Sequence, residues 1–600
     1  MASVFLAELD ADYIAPSQAC TNPLFSGAAS PAATAPPAAS TPAANGKLKL
    51  TLEMEVDDGS LHYPSMPLSS GAPPAFGTKP DLIRAVPSGA GAGSGAPKAK
   101  ATVSLNDCLA CSGCVTSAET VLISQQSSSK YFEAVQSGAF STVVVSVSPQ
   151  SRAALAAHLG LTTAAFLPRF TTFWQRLGAH YVTDTSVAAD LSLLETAAEF
   201  VARYRQRQPR QWAAPETSVA IAADKCRYPE REGQPEGAAL GTTTATTSSM
   251  EVDGGGGGED GAVGSIHRPL ESYTALPMLA SACPGWVCYA EKTQPSALPY
   301  ISTAKSPQQT MGSLLKFILA REMKVAPASI LHVTVMPCFD KKLEASRRDF
   351  FHEAEDAQEV DLVLTTGEVL EMLGAHAAEA GLGSMACFTA LPEASPPDAT
   401  TGPLDALLRS NWTSGSGRGV ELLAPPTTLG GSGGYLEFVF RYAAKELFGV
   451  DVSTDAPLPY KPGRNDDIKE LVLEVGGEVV LNFAIAYGFR NIQSVIQKMR
   501  RSKLVYHYVE VMACPSGCLN GGGQLREATS ETSTVRKARV AKVQSAFCDG
   551  QVMREPGQSP FVQQLYSSAL GGQPFSDAAR RLLHTSYHAV PKMEGAGAKW

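Results

Sequence analysis

Apolar and polar positions along the chain switch between two periods, and the switching predicts an α/β protein. TVVVSVS at 142–148 is a β-branched run broken only by serine, the pattern of a strand buried on both faces. Pro149 follows and is placed to open a helix carrying Ala153–Ala157. Residues 186–206 repeat apolar positions at helical spacing and predict a long amphipathic helix. LPMLASACPGW (276–286) predicts a strand or apolar segment ending in a Pro-Gly turn. Residues 311–324 predict a helix, ILHVTVM (330–336) a strand closed by Pro337-Cys338, and VDLVLTT (360–366) another strand with GEVLEMLGAHAAEA as its helix. YLEFVFRYAAKELF (435–448) predicts a helix after the turn GGSGG. Residues 470–485 predict two strands joined at Gly476-Gly477, 488–501 a helix, and YHYVEVM (506–512) a further buried strand. Strands alternating with helices favour parallel sheets covered on both faces, and sites in such folds gather at the carboxyl ends of strands.

Composition divides this pattern into parts. At 600 residues the chain predicts two to four units, and 44% hydrophobic residues suffice for sizeable cores. The 52 glycines and 41 prolines are clustered. An Ala/Pro/Ser/Thr-rich linker fills 26–46, biased sequence fills 64–100 around a strand-like 47–57, and a second insertion spans 229–264 with Gly254–Gly258 inside it. A net charge of −9 and a pI near 5.7 argue against a basic nucleic-acid-binding surface. No run approaches the roughly 18 apolar residues of a membrane span. The start, MASVFLAELDAD, is acidic and resembles no presequence. Twelve cysteines in a long chain without a signal sequence point to a reducing compartment, where clustered cysteines are metal ligands more often than disulfides.

The cysteines fall into two groups. Cys108, Cys111 and Cys114 stand in NDCLACSGC, and C-x-x-C-x-x-C wraps three thiolates around a compact centre. Bacterial-type ferredoxin clusters use this spacing with a fourth cysteine close behind. Here none follows within a hundred residues, so the fourth ligand comes from elsewhere, with Cys20 the candidate. A structural zinc site and unliganded thiols are the other readings. The second group is dispersed: Cys283 in SACPGW, Cys338 in MPCFDKK, and Cys514 and Cys518 in ACPSGCLNGGGQ. Each of Cys283, Cys338 and Cys514 follows a predicted strand and adjoins a proline, and the glycines at 521–523 allow positive φ or close backbone approach. Cys226, Cys288, Cys387 and Cys548 have no comparable setting. Lys341 and Lys342 either offset the charge of a thiolate-bound centre or are solvated surface lysines. The glycine stretches at 430–434 and 521–523 lack the Lys-Ser/Thr ending of a P-loop, and Ser281 and Ser516 lack a His and acid partner, so phosphate-binding and hydrolase readings fail.

With these residues in view, the chain resembles the iron-only hydrogenase superfamily. SACPGW (281–286), KSPQQTMG (305–312), MPCFDKKLE (336–344), VLTTGEV (363–369), GGSGGYLE (430–437) and VEVMACPSGCLNGGGQ (509–524) carry the resemblance, in that order. Within it the chain is similar to the cytosolic iron–sulfur assembly factors, the prelamin A recognition factor-like proteins, through DADYIAPSQAC (10–20) and SLNDCLACSGCVTSAE (104–119). The resemblance implies two α/β lobes with parallel sheets around a cluster, plus a small ferredoxin-like N-terminal cluster region. The expected divisions are 1–25 with 101–130 for that region, 26–100 for an insertion, 131–525 for the core, and 526–600 for a C-terminal helical region and tail. It implies two four-iron–four-sulfur clusters, one on Cys20, Cys108, Cys111 and Cys114, the other on Cys283, Cys338, Cys514 and Cys518. It further implies a non-enzymatic carrier in the cytoplasm, with the nucleus a second place. The carrier would work between a scaffold of P-loop ATPases and a targeting complex with a WD-repeat protein, delivering clusters to apoproteins, with no nucleic acid or membrane as partner.

The departures bear on activity. Hydrogenases usually carry two adjacent cysteines before Pro-Gly-Trp, the first of which moves protons; here Ala282 takes that position, and alanine carries no transferable proton. Ser148-Pro149 replaces their usual Ala-Pro, and Leu525 follows Gln524 where they have proline. A hydrogen-metabolising enzyme and a zinc-stabilised nuclear interaction protein are the rival readings. The chain ends in GAKW, and Trp600 resembles a terminal aromatic docking signal.

Overall fold

The β-branched run at 142–148 forms a strand because each side of it is covered. The computed structural model describes residues 117–207, 219–221, 275–379, 383–393, 407, 412–414, 420–424, 431–454, 456–526, 531–549 and 551–590. The expected N-terminal cluster region with Cys20, Cys108, Cys111 and Cys114, the strand-like 47–57, the insertions and Trp600 lie outside the described residues. In chain order, α1 (Ser117–Gln125) precedes β1 (Thr142–Val147), α2 (Pro149–His158), β2 (Tyr181–Asp184) and α3 (Ser186–Arg207). Next come β3 (Met278–Ala280), α4 (Pro284–Thr293), α5 (Pro307–Ser313), β4 (Ile330–Met336), α6 (Asp340–Ala345), β5 (Leu362–Thr365) and α7 (Thr366–Glu379). Then follow α8 (Tyr435–Phe448), β6 (Lys461–Pro462), β7 (Ile468–Val475), β8 (Glu478–Tyr487), α9 (Phe489–Arg500), β9 (Tyr508–Met512) and α10 (Ser533–Cys548).

Two sheets result. The first has the order β2-β1-β4-β5 and is parallel throughout. Its strands are buried along nearly their whole length, with Val145, Val333 and Val335 packed among Phe166, Phe170 and Trp174. The second has the order β6-β7-β8-β9-β3. Only β8, β9 and β3 run parallel in it, which departs from the expected parallel sheets. The cause is local: Gly476 and Gly477 both take positive φ (+62° and +85°) and fold β7 and β8 into a hairpin, which is antiparallel by construction. Its core gathers Phe200, Phe440, Phe483 and Tyr508.

Three further differences have plain causes. Pro284-Gly285 does not turn the chain; Pro284 occupies the first position of α4, where its missing N–H is no loss. The helix expected at 311–324 begins earlier, at Pro307, and passes through a π segment (Leu314–Leu319) before ending at Lys324 in left-handed conformation. α3 is buried nearly all round rather than amphipathic, because its polar side chains find partners inside: Glu199 accepts from Arg203 Nη2 at 2.5 Å and from Ser302 at 2.7 Å. α2 starts as expected, with the Ser148 hydroxyl accepting from Ser151 N and Pro149 next to it.

Candidate metal centre

Three strands end beside one another and each delivers a cysteine. β3 pairs with β9 in register Ala280↔Glu510, so the chains leaving them bring Cys283 and Cys514 to neighbouring places. β4 belongs to the other sheet and places Cys338 two residues beyond its end. Cys283 caps α4, and Cys518 sits in the short turn Gly517–Asn520. The four thiols line one cavity between the two sheets, together with Ala282, Asp340 and Lys341. None of the four is in a disulfide. The expected C-terminal set is thus brought together.

The glycines make this packing possible by close approach. A Cβ at Gly521 would lie 2.3 Å from the Pro337 carbonyl oxygen, and one at Gly523 2.8 Å from Thr365 Cβ. Gly523 N donates to Pro337 O at 2.9 Å, and Gly367 N to Gly523 O at 3.0 Å. The loop is thereby laced to the Cys338 loop and the start of α7. Positive φ is needed earlier, at Ser516 (+61°) and Gly517 (+71°), which swing the chain so that Cys518 N donates to Gly431 O at 2.7 Å.

Burial pushes all four thiols up, Cys518 to about 12 and Cys338 and Cys514 well above an ordinary thiol. After burial, the Asp340 carboxylate is the main cause at Cys283 and Cys338, and the neighbouring Cys283 at Cys514 and Cys518. Four thiolates gathered here would need cationic charge among them, and Cys283, Cys338, Cys514 and Cys518 are the residues that would hold a metal centre supplying it as their protons leave. Among the described residues no three His, Cys, Asp or Glu side chains close tightly enough around one point to hold a single ion. A cage of four cysteines around a cavity fits a multi-iron cluster, the soft-ligand case, better than one zinc.

Lys341 and Lys342 are not solvated surface lysines. Lys341 Nζ donates to Ser306 Oγ at 2.9 Å and Glu344 Oε2 at 2.7 Å; Lys342 Nζ donates to Gln126 O at 2.6 Å and Glu368 Oε1 at 2.7 Å. Both are buried, and Lys341 draws the Cys283 and Cys518 thiols toward ionisation, opposing the larger effect of burial. A second, larger cavity shares Ala282, Pro337, Lys341 and Cys518 with the first. Gln308, Ser432 and Tyr435 of its wall stand in stretches that the sequence marked only as part of the resemblance, and Ser186 was not singled out; that they meet in one wall could not be read from the sequence. Cys288, one turn beyond Cys283, lines neither cavity, Cys387 is buried beside Phe388 of the first core, and Cys548 is exposed at the end of α10.

A two-sheet α/β fold with four cysteines converging from the strand ends defines the iron-only hydrogenase-like class. Residues 141–217 and 264–522 match the family model for the iron only hydrogenase large subunit, C-terminal domain, and 533–590 match the iron hydrogenase small subunit. An apo FeFe-hydrogenase from Chlamydomonas reinhardtii is similar in structure, with a TM-score of 0.51 and 26% identity over 75% of this chain and 94% of its own. Cytosolic iron-sulfur assembly component 3 of Rattus norvegicus is 41% identical over 99% of this chain and 98% of its own length. Protein NAR1 of Arabidopsis thaliana is 37% identical over 82% of this chain and 86% of its own. The chain belongs to the cytosolic iron–sulfur assembly component 3 family of hydrogenase-like proteins. No helix among the described residues is long and apolar enough to cross a membrane.

Proposed function

We propose that the chain is an iron–sulfur carrier of cytosolic iron–sulfur protein assembly. In this reading Cys283, Cys338, Cys514 and Cys518 hold one four-iron–four-sulfur cluster, and Cys20, Cys108, Cys111 and Cys114 hold another. The observation that carries it is the convergence of four cysteines from two sheets on one cavity, Cys283 and Cys338 buried and Cys514 and Cys518 half-buried, in a chain whose relatives are named for this assembly. When bound, such a cluster supplies iron and sulfide that can be passed on intact or used for electron transfer. The protein's part is to hold it: Gly521 and Gly523 lace the loops, and burial keeps water from the thiolates.

The enclosed setting of these four thiols, two of them buried, favours retention at this centre, so the N-terminal set is the one from which clusters leave. The route runs from a scaffold of P-loop ATPases to a targeting complex with a WD-repeat protein, docked through Trp600, and on to cytosolic and nuclear apoproteins. Hydrogen turnover is not part of the reading: Ala282 lies in the wall of both cavities and offers no proton.

Anaerobically purified protein is expected to carry about eight iron and eight sulfide per chain, and Cys338→Ser about four of each, by the count of four thiolates per cluster. Cys108→Ala is expected to abolish transfer to an apo-acceptor that Cys514→Ala retains. Near-zero iron with about one zinc per four-cysteine set would overturn the carrier reading.

A further inference from the structure

We infer that α1 carries a second contact surface for the partner that holds Trp600: Val121 and Leu122 form an apolar pair presented to that partner beside the root of the tail. This rests on the reading that the chain docks through Trp600. The pair fits a protein whose surface sets an apolar strip beside a pocket for an aromatic side chain. Val121 and Leu122 are 53% and 38% exposed. Scattered apolar residues on a surface need no explanation, but α1 is turned inside out. Its apolar neighbours face solvent, while Gln126, just past its end, is buried. Gln126 Nε2 donates to Lys342 O and to Ser346 Oγ, each at 2.8 Å, and its Oε1 accepts from Val363 N at 3.0 Å. Lys292 Nζ donates to Glu119 Oε1 at 2.6 Å. These bonds fix the roll of α1, which cannot turn Val121 and Leu122 inward without leaving a buried amide unpaired.

The tail starts from the same place. Past Leu583 the chain crosses residues 303–305, with Thr585 N donating to Thr303 O at 2.8 Å, and then reaches α4. There His588 N donates to Glu291 Oε1 and Val590 N to Glu291 O, both at 3.0 Å. Glu291 is itself held by Arg347 Nη1 at 2.7 Å and Nη2 at 2.8 Å. Glu291, which moors the tail, and Lys292, which moors α1, are consecutive residues of α4. The match to the hydrogenase small subunit stops at residue 590, so residues 591–600 stand outside the matched part. At roughly 3.3–3.6 Å per residue, Trp600 lies within about 36 Å of Val590, and Cys114 within about 18 Å of Glu119. A partner gripping Trp600 is therefore kept near α1 at a raised effective concentration. Contact with Val121 and Leu122 sets that partner beside the root of the segment that carries Cys108, Cys111 and Cys114.

Isothermal titration calorimetry against a purified WD-repeat protein of the targeting complex tests this, with the anaerobically purified full chain and a peptide spanning 591–600 as ligands. The full chain is expected to bind about tenfold more tightly than the peptide. Val121→Ser with Leu122→Ser is expected to lose most of that gain with iron content and unfolding temperature unchanged, and Val121→Ile with Leu122→Met to keep it. A serine variant that binds as tightly as its parent overturns the inference and leaves docking through Trp600 standing. Loss of iron or earlier unfolding in the serine variant means that the pair is covered by this chain itself, which also overturns it. A peptide that does not bind, together with Trp600→Ala as tight as the parent, defeats the docking reading and this inference with it.

Discussion

A methyl group added at Gly521 would sit 2.3 Å from the Pro337 carbonyl oxygen, a distance the backbone must relieve by moving. The loop it would push away carries Cys518, whose carbonyl accepts from Gly521 N at 3.1 Å. Gly521→Ala is expected to destabilise the fold by about 1–3 kcal/mol, as other overpacked sites do, and to empty the buried centre in an iron assay while the N-terminal set keeps its iron. Gly477→Ala has nothing within 4 Å and only its φ of +85° to contend with; it is expected to leave iron content unchanged. At this scale the cysteines were legible, because a residue needed for its chemistry is visible in one letter. Lys342 was not: its carboxylate partner, Glu368, lies on another helix and no local pattern announces it.

Among the elements, α3 shows how a helix with many polar residues can be interior. Arg203 donates to Glu199 and to the carbonyls of Ala275, Pro299, Tyr300 and Ile301, tying α3 to the chain on either side of α4. Further along, Glu195 accepts from Tyr566 at 2.6 Å and lies 2.9 Å from His584 Nε2, so the same helix anchors the C-terminal region. Arg203→Met leaves Glu199 buried without its cation and is expected to lower stability by about 3–5 kcal/mol in denaturant unfolding; the double variant with Glu199→Gln is expected to recover part of that loss. The length of α3 was legible from its apolar spacing, but its burial was not, since the pairs that make it tolerable are made in three dimensions. The helix Thr163–Arg176 escaped notice because Pro168 stands inside it, a residue that ordinarily breaks the pattern.

On the scale of the whole molecule, the alternation of strand and helix foretold two covered sheets, while the mixed order of the second could not be read without knowing which strands pair. A neutral histidine sits in or beside each large sheet, His332 fully buried and His507 half-buried just before β9. In the first, His332 lies 2.9 Å from both Ser146 Oγ and Glu359 O, and burial lowers its pKa to about 3. In the second, burial and then the nearby Arg207 lower His507 to about 4. Unfolded histidine binds a proton near pH 6.5 while the native state does not, so the stability they share is complete above that pH. It is lost as pH falls toward 4 and 3, by roughly one kcal/mol per pH unit for the fully buried His332 and less for His507. Urea midpoints are expected to fall between pH 7 and pH 5.5, and to fall less for His332→Gln; parallel losses in the two proteins would count against His332. Cys283, Cys514 and Cys518 hang from one sheet and Cys338 from the other, and β9, which positions two of them, is made after all the strands it joins. A nascent chain has no complete cage until residue 518 has left the ribosome and both sheets have closed around it. Whatever occupies the cage therefore arrives at a nearly finished protein, which makes loading a late, post-folding event and leaves a window in which the newly made chain waits with its thiols empty.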